Sequence, residues 1–140
     1  MSVMQVEVVS SEQNIYSGEA GFVVVPTVQG ELGIYPRHEP IMSLVRPGAL
    51  RLTVPGEDKE VLVAVSGGVL EVQPDKVTVL ADVAVRSAEM DRARAEEAKK
   101  AAEAGISQAK DNKDLAEAHK ALAAAIAQLK TLDYIRSHKK

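Results

Sequence analysis

The sequence has no cysteine and no tryptophan, a single phenylalanine, and no proline after Pro74. Without cysteine there are no disulfides, thiolate metal sites or thiol chemistry, which fits a reducing compartment. Aromatics make up 3% of the chain, its net charge is −3, and no recognition motif is present. These features argue against nucleic acid as a partner. No apolar run approaches the roughly 20 residues that a membrane-spanning helix needs. The N-terminus, Met-Ser-Val-Met-Gln-Val-Glu, has no basic segment followed by an apolar run. The expectation is a soluble, cytoplasmic chain. At 140 residues and 46% hydrophobic, it has the size of one domain, or of one small domain with an appendage.

What is present divides sharply along the chain. All six prolines and eight of the nine glycines precede Asp82, and the ninth is Gly105. Residues 1–86 carry 6 basic against 11 acidic side chains, whereas residues 87–140 carry 11 against 9. The pattern predicts a β module over 1–86 and an α-helical hairpin over 87–140, with two jobs divided between them.

Valine-rich runs with a period of two predict strands at Val3–Val9, Gly21–Pro26, Leu50–Val54, Val61–Val65, Val69–Val72 and Val77–Ala81. Val61 to Val65 is apolar at every position, so both of its faces should be covered. Turns are expected at Pro55-Gly56-Glu57-Asp58, at Ser66-Gly67-Gly68 as a tight hairpin, and at Gln73-Pro74-Asp75. Short strands at this spacing predict an antiparallel β-sandwich or flattened barrel. Its core must come from Val, Leu and Ile. Ser66-Gly67-Gly68 lacks the Gly-Lys-Ser/Thr ending of a phosphate loop and precedes a strand rather than a helix, so phosphate binding is not expected there.

Gln29 to Pro40 contains two glycines and two prolines around polar residues, the composition of a rigid contact loop. His38 lies within it, far in sequence from His119 and His138, and no metal-ligand spacing results. No Ser/His/Asp or paired-carboxylate arrangement proposes a reaction, and no cofactor loop is visible.

In the second half, Ser87 is a candidate N-cap for a helix running to about Ala104, with Gly105 as its stop. The least polar stripe of that helix is Ala88, Ala95, Ala98 and Ala102. Asp111 or Asn112 caps a second helix with the stripe Leu115, Ala118, Leu122, Ala125, Leu129 and Leu132. The short connection from Ile106 to Lys110 makes the pair antiparallel. Alanine gains little from burial at about 0.8 kcal/mol per methyl group, so the hairpin should be weakly held. Part of the leucine stripe then needs a further surface, either the sandwich or a partner chain. The basic end (Lys130, Arg136, Lys139, Lys140) complements the helix dipole and would equally suit an acidic protein surface.

Several segments together carry a family resemblance. They are Gly30-Glu31-Leu32-Gly33-Ile34-Tyr35-Pro36-x-His38-x-Pro40, Val45-Arg46-Pro47-Gly48 and Val65 to Val72. Val79-Leu80-Ala81-Asp82, Met90 to Ala95 and Ala125-Ile126-Ala127-Gln128-Leu129 continue the series. In order and spacing, over essentially the whole chain, they resemble the epsilon subunit of the bacterial F-type ATP synthase. The resemblance implies a non-catalytic central-stalk subunit of a proton-translocating enzyme, peripheral on the cytoplasmic face of the bacterial inner membrane. It implies a sandwich bound to the gamma subunit and resting on the ring of c subunits, with Glu31 and His38 near those partners. It also implies a mobile hairpin that, when extended into the catalytic head, inhibits ATP hydrolysis. Lys130 and Arg136 would then meet the beta subunit, with alpha nearby. In some family members the hairpin binds regulatory ATP, and the matching residues here are Asp91 and Arg94, following Met90. No arginine lies between Leu115 and Tyr134, which implies weak binding at most. No other cofactor is implied.

Two other readings compete with this one. One is a stand-alone ligand-binding sandwich that dimerises through Leu115, Leu122, Leu129 and Leu132. The other is a small enzyme, for which no motif speaks.

Overall fold

The computed structural model describes residues 2–11, 13–57 and 60–138, which contain ten strands, a 3-10 turn and two α-helices. The strands are β1 (Met4–Val9), β2 (Asn14–Ala20), β3 (Phe22–Thr27), β4 (Gly30–Ile34), β5 (Ile41–Val45), β6 (Gly48–Thr53), β7 (Val61–Val65), β8 (Gly68–Gln73), β9 (Lys76–Ala81) and β10 (Ala84–Arg86). They follow the order β10-β7-β6-β3-β5-β8-β9-β1-β2, with β4 added on β3. The path folds back on itself. Its two ends approach where the Arg86 guanidinium lies 5.8 Å over the Tyr16 ring. The result is the expected sandwich or flattened barrel, in which β1 and β9 form the one parallel pair among the described strands.

Alternation builds the core. Met4, Val6 and Val8 of β1, Val77 and Val79 of β9, and Leu70 and Val72 of β8 turn inward on one side. Val23 and Val25, Leu50 and Leu52, and Val63 and Val65 meet them from the other. These side chains are all but fully buried, so each contributes about 1.5–3 kcal/mol of apolar transfer. Leu62 and Ala64, on the opposite face of β7, are buried as well. Both faces of that strand are covered, as its uninterrupted apolar run requires.

Four strands differ from expectation. Gly30 to Ile34 is a strand, not the first half of a rigid loop, and β2, β5 and β10 have no predicted counterpart. Ser17-Gly18-Glu19 and the two glycines of β4 suppress the apolar alternation that marks a strand, and neighbouring strands supply what propensity does not. Ser66-Gly67-Gly68 is a correction. Strand β7 pairs with β6 and β10, whereas β8 pairs with β5 and β9. The segment therefore carries the chain from one layer to the other and does not close a hairpin. The Gln73-Pro74-Asp75 turn does close one, with Gln73 opposite Lys76. Asp58 of the Pro55 turn lies outside the described residues.

The helices also begin and end elsewhere than expected. Ser87–Glu89 forms a 3-10 turn and Met90 is extended, so Asp91, not Ser87, caps α1 (Arg92–Gln108). The Asp91 carboxylate accepts from the amides of Ala93 and Arg94 at 2.9 and 3.3 Å. Gly105 lies inside α1 rather than ending it. A Cβ there would stand 3.3 Å from that of Ala118, so the glycine marks where α1 and α2 (Asn112–Ser137) pass closest. Asp111 caps α2 by accepting from Asp114 N at 2.8 Å. Of the predicted α1 stripe, Ala95 and Ala102 are buried, while Ala88 and Ala98 are exposed.

The hairpin is antiparallel, with Arg92 at the start of α1 bonded to Asp133 near the end of α2 at 2.7 Å. The further surface is the sandwich, reached by a different face of α2 from the leucine stripe. Helix α2 packs on β6 and β7, and its buried Ala127 and Thr131 share a face with Tyr134. At 1.5 Å per residue its 26 residues extend about 39 Å, roughly twice a six-residue strand. The tip of the hairpin therefore overhangs the sandwich. The leucines are half-buried within the hairpin, so a coiled-coil dimer through them would have to take it apart.

Candidate functional site

The two outer faces of the sandwich differ. That of β6 and β7 lies under α2, while that of β5, β8 and β9 is uncovered, with an apolar row at one end and Glu71 and Thr78 in the row beside it. Leu44 stands opposite Val69, Val69 opposite Leu80, and Leu80 beside Val9 of β1. These four side chains form a row across four strands, about 14 Å long at the usual strand spacing. Leu44 and Leu80 are 59% and 54% exposed, and Met42, two residues along β5, is 67% exposed. A shallow hollow of about 310 Å³ adjoins Met42, lined by Pro40, Ile41, Glu71, Val72 and Gln73. Contiguous apolar surface of this kind marks an interaction site. Sequence reasoning missed it, although a signal was present. In β9, Val77, Val79 and Ala81 point inward, so Leu80 is an apolar residue on the face where alternation calls for a polar one.

Glu31 and His38 lie apart, His38 in a segment tied to the β8–β9 turn and Glu31 on the side of the sandwich that carries α2. Glu31 is on β4, with its carboxylate 3.5 Å from the Arg51 guanidinium. His38 is half-buried in the turn after β4, with Nδ1 2.7 Å from the Glu39 carbonyl oxygen. The preceding Arg37 adopts φ +68, a left-handed conformation uncommon outside glycine, and its amide donates to the Pro74 carbonyl at 2.7 Å. The β8–β9 turn thereby fixes the segment that carries His38.

A second cluster joins the hairpin to the sandwich. The Tyr134 hydroxyl donates to Glu60 Oε1 at 2.5 Å, and the Arg51 guanidinium lies 4.7 Å from the centre of the Tyr134 ring. Lys130 Nζ donates to the Pro47 carbonyl at 3.4 Å. Burial, followed by the bond to Glu60, raises the Tyr134 pKa above the usual tyrosine value, although Arg51 opposes this. For Arg51, burial works against the charge but is outweighed by Tyr134, Glu31 and Glu60, which leaves its pKa raised. Arg136 is largely exposed and 3.5 Å from Asp133. Lys130 is thus engaged at the interface and Arg136 with a neighbour on its own helix. Lys139 and Lys140 lie outside the described residues.

Asp91 and Arg94 do not form the helix ion pair that their spacing allows. The Asp91 carboxylate instead caps the helix, and one of the amides it holds is that of Arg94. A groove of about 490 Å³ between the helices is lined by Arg92, Lys99, Lys100 and Lys130 against Glu96, Glu103 and Asp133, and neither Asp91 nor Arg94 borders it. None of the described helices is long and apolar enough to cross a membrane.

Residues 3–87 match the family described as the ATP synthase delta/epsilon chain β-sandwich domain, and residues 88–133 match its long α-helix domain. The chain belongs to the ATP synthase delta/epsilon chain family. It is 96% identical over all 140 residues to an ATP synthase epsilon chain of Neisseria meningitidis, with both chains fully covered. Its identity to the epsilon chain of Laribacter hongkongensis is 62% over 136 residues, covering 97% of each. Among solved structures, a chain of the Euglena gracilis mitochondrial ATP synthase, in an assembly that includes the c-ring, is similar in fold. Its TM-score is 0.72 at 23% identity, with 93% of this chain and 81% of that one covered. This epsilon-type chain is a component of an ATP synthase, and its family assignment spans both the sandwich and the hairpin.

Proposed function

We propose that this epsilon-type chain is a non-catalytic central-stalk component of a proton-translocating ATP synthase, peripheral on the cytoplasmic face of the bacterial inner membrane. The sandwich binds gamma and rests on the c ring, and the hairpin restrains ATP hydrolysis. One observation carries this reading above the others: the bare row of Val9, Leu44, Val69 and Leu80, on the face opposite the hairpin. A face of that kind needs a partner, and its position leaves the hairpin free to act separately. Glu31 and His38, apart on the sandwich, contact gamma or the c ring. Lys130 and Arg136 meet the beta subunit, with alpha nearby, once the hairpin extends. Mixed with purified gamma, the chain should elute as a stoichiometric complex. Separate elution at micromolar concentrations of both would contradict the reading.

Regulatory ATP at Asp91 and Arg94 is the weaker element of this proposal. The Asp91 carboxylate is already occupied in capping α1, so any binding is weak. Isothermal titration should give heats that saturate only at high ATP and vanish in Arg94→Ala. Heats unaffected by that substitution would remove Arg94 from the site.

A further inference from the structure

The hold of the sandwich on the hairpin is unevenly distributed. Residues 111–117 of the hairpin tip are exposed except for Leu115, and the side chains that α2 itself buries fully are small, Ala127 and Thr131 among them. Such contacts bury few methyl groups per residue ordered. Every side-chain hydrogen bond from α2 to the sandwich among the described residues falls within one and a half turns. These are Lys130 to the Pro47 carbonyl and Tyr134 to Glu60. In the same place the Arg51 guanidinium lies over the Tyr134 ring. Arg51 projects from the middle of β6, held on its other side by Glu31 at 3.5 Å. Its Nε is buried and has no hydrogen-bond partner among the described residues. A buried Nε left unmatched is costly, and the contacts of the half-buried guanidinium with the ring and the carboxylates offset that cost. The arrangement is therefore stable only as a set.

We infer that Arg51, Glu60 and Tyr134 form a latch at the base of the hairpin, and that this latch sets the balance between docked and released hairpin. The sandwich supplies Arg51 and Glu60, and the hairpin supplies the Tyr134 ring and hydroxyl. Glu31 positions Arg51 from the far side. Because the link sits at one end of a long lever, its loss frees the hairpin as a unit while the valine core stays intact. The regulatory meaning of the latch rests on the brake proposed above, but its existence does not.

The absence of cysteine gives a clean assay. Thr131 is fully buried beneath α2, so a Thr131→Cys full-length chain presents one thiol that reacts only when the hairpin lifts. Adding Tyr134→Ala or Arg51→Met should speed labelling about tenfold or more, from the lost ring contact and hydrogen bond. Lys113→Ala in the overhanging tip should leave the rate unchanged. Arg51→Met and Glu60→Gln leave the hairpin sequence intact, so acceleration in either cannot come from altered helix propensity. The thermal midpoint of the sandwich should not move. Labelling rates within twofold of the Thr131→Cys parent in both Tyr134→Ala and Arg51→Met would overturn the latch. Hydrolysis assays separate the two proposals. Latch variants that label faster should also inhibit an assembled catalytic head more strongly. Faster labelling with unchanged inhibition would keep the latch and remove the brake.

Discussion

Gly68→Ala should cost the sandwich about 4 kcal/mol or more, a large part of the ~5–15 kcal/mol that holds a domain of this size together. Gly68 has φ +141, in a region that side-chain-bearing residues scarcely enter. A Cβ there would collide with the Leu80 carbonyl and press to 2.9 Å from Ala81 Cα, both of them backbone atoms that cannot rotate away. The backbone strain is worth about 1–3 kcal/mol, and the overlap adds a similar overpacking cost. The position matters because the chain changes layers here and then runs directly beside β9. Gly30 is the control. Its φ of +114 is also unfavourable for alanine, but no atom lies within 4 Å of a Cβ there, so Gly30→Ala should cost only the backbone strain, about 1–3 kcal/mol. Urea unfolding midpoints of the two variants measure the difference. A Gly68→Ala loss below 1 kcal/mol would mean that the crossover is looser than described.

Leu80→Asp and Leu44→Asp should each weaken binding to gamma about thirtyfold or more while leaving the fold intact. Both side chains are more than half exposed, so a carboxylate there is solvated in the free chain and the core does not register it. On binding, the charge would be buried in the centre of an apolar row with no partner, a change that typically costs about 2 kcal/mol or more at an interface centre. Leu70→Ala gives the opposite pattern, because Leu70 is fully buried in the core. It should destabilise the sandwich by about 2–5 kcal/mol. Titration of gamma by light scattering or calorimetry, alongside unfolding of the free variants, separates the two classes. Undiminished affinity in Leu80→Asp would remove the row from the interface.

The sequence revealed the fold where side chains alone determine it. Val61 to Val65 and Val77 to Ala81 are strands because β-branched residues alternate or fill both faces, and Asp111 caps α2 because an acidic residue stands before a helical stripe. It was less informative where tertiary context decides. Strand β4 contains two glycines and is held in place by pairing with β3. Ser66-Gly67-Gly68 has the composition of a hairpin turn, but strand partners distant in sequence make it a crossover. Ser87 and Asp91 are both competent N-caps, and the extended conformation of Met90 selects the second. Gly105 has the signature of a helix stop, yet the approach of Ala118 keeps it helical. Among candidate functional residues, Glu31 and His38 are singled out through the family resemblance. Leu80 was legible from its face parity. The Arg51–Tyr134–Glu60 cluster joins residues far apart in sequence and had no local signal.

The central claim is that a partner-binding sandwich carries a separable helical brake. Steady-state ATP hydrolysis by a reconstituted alpha–beta–gamma complex, titrated with the full-length chain and with residues 1–87, tests it most directly. The account predicts that both forms bind and that only the full-length chain lowers the rate. Equal inhibition by the two forms, or binding of both with no inhibition by either, would contradict it.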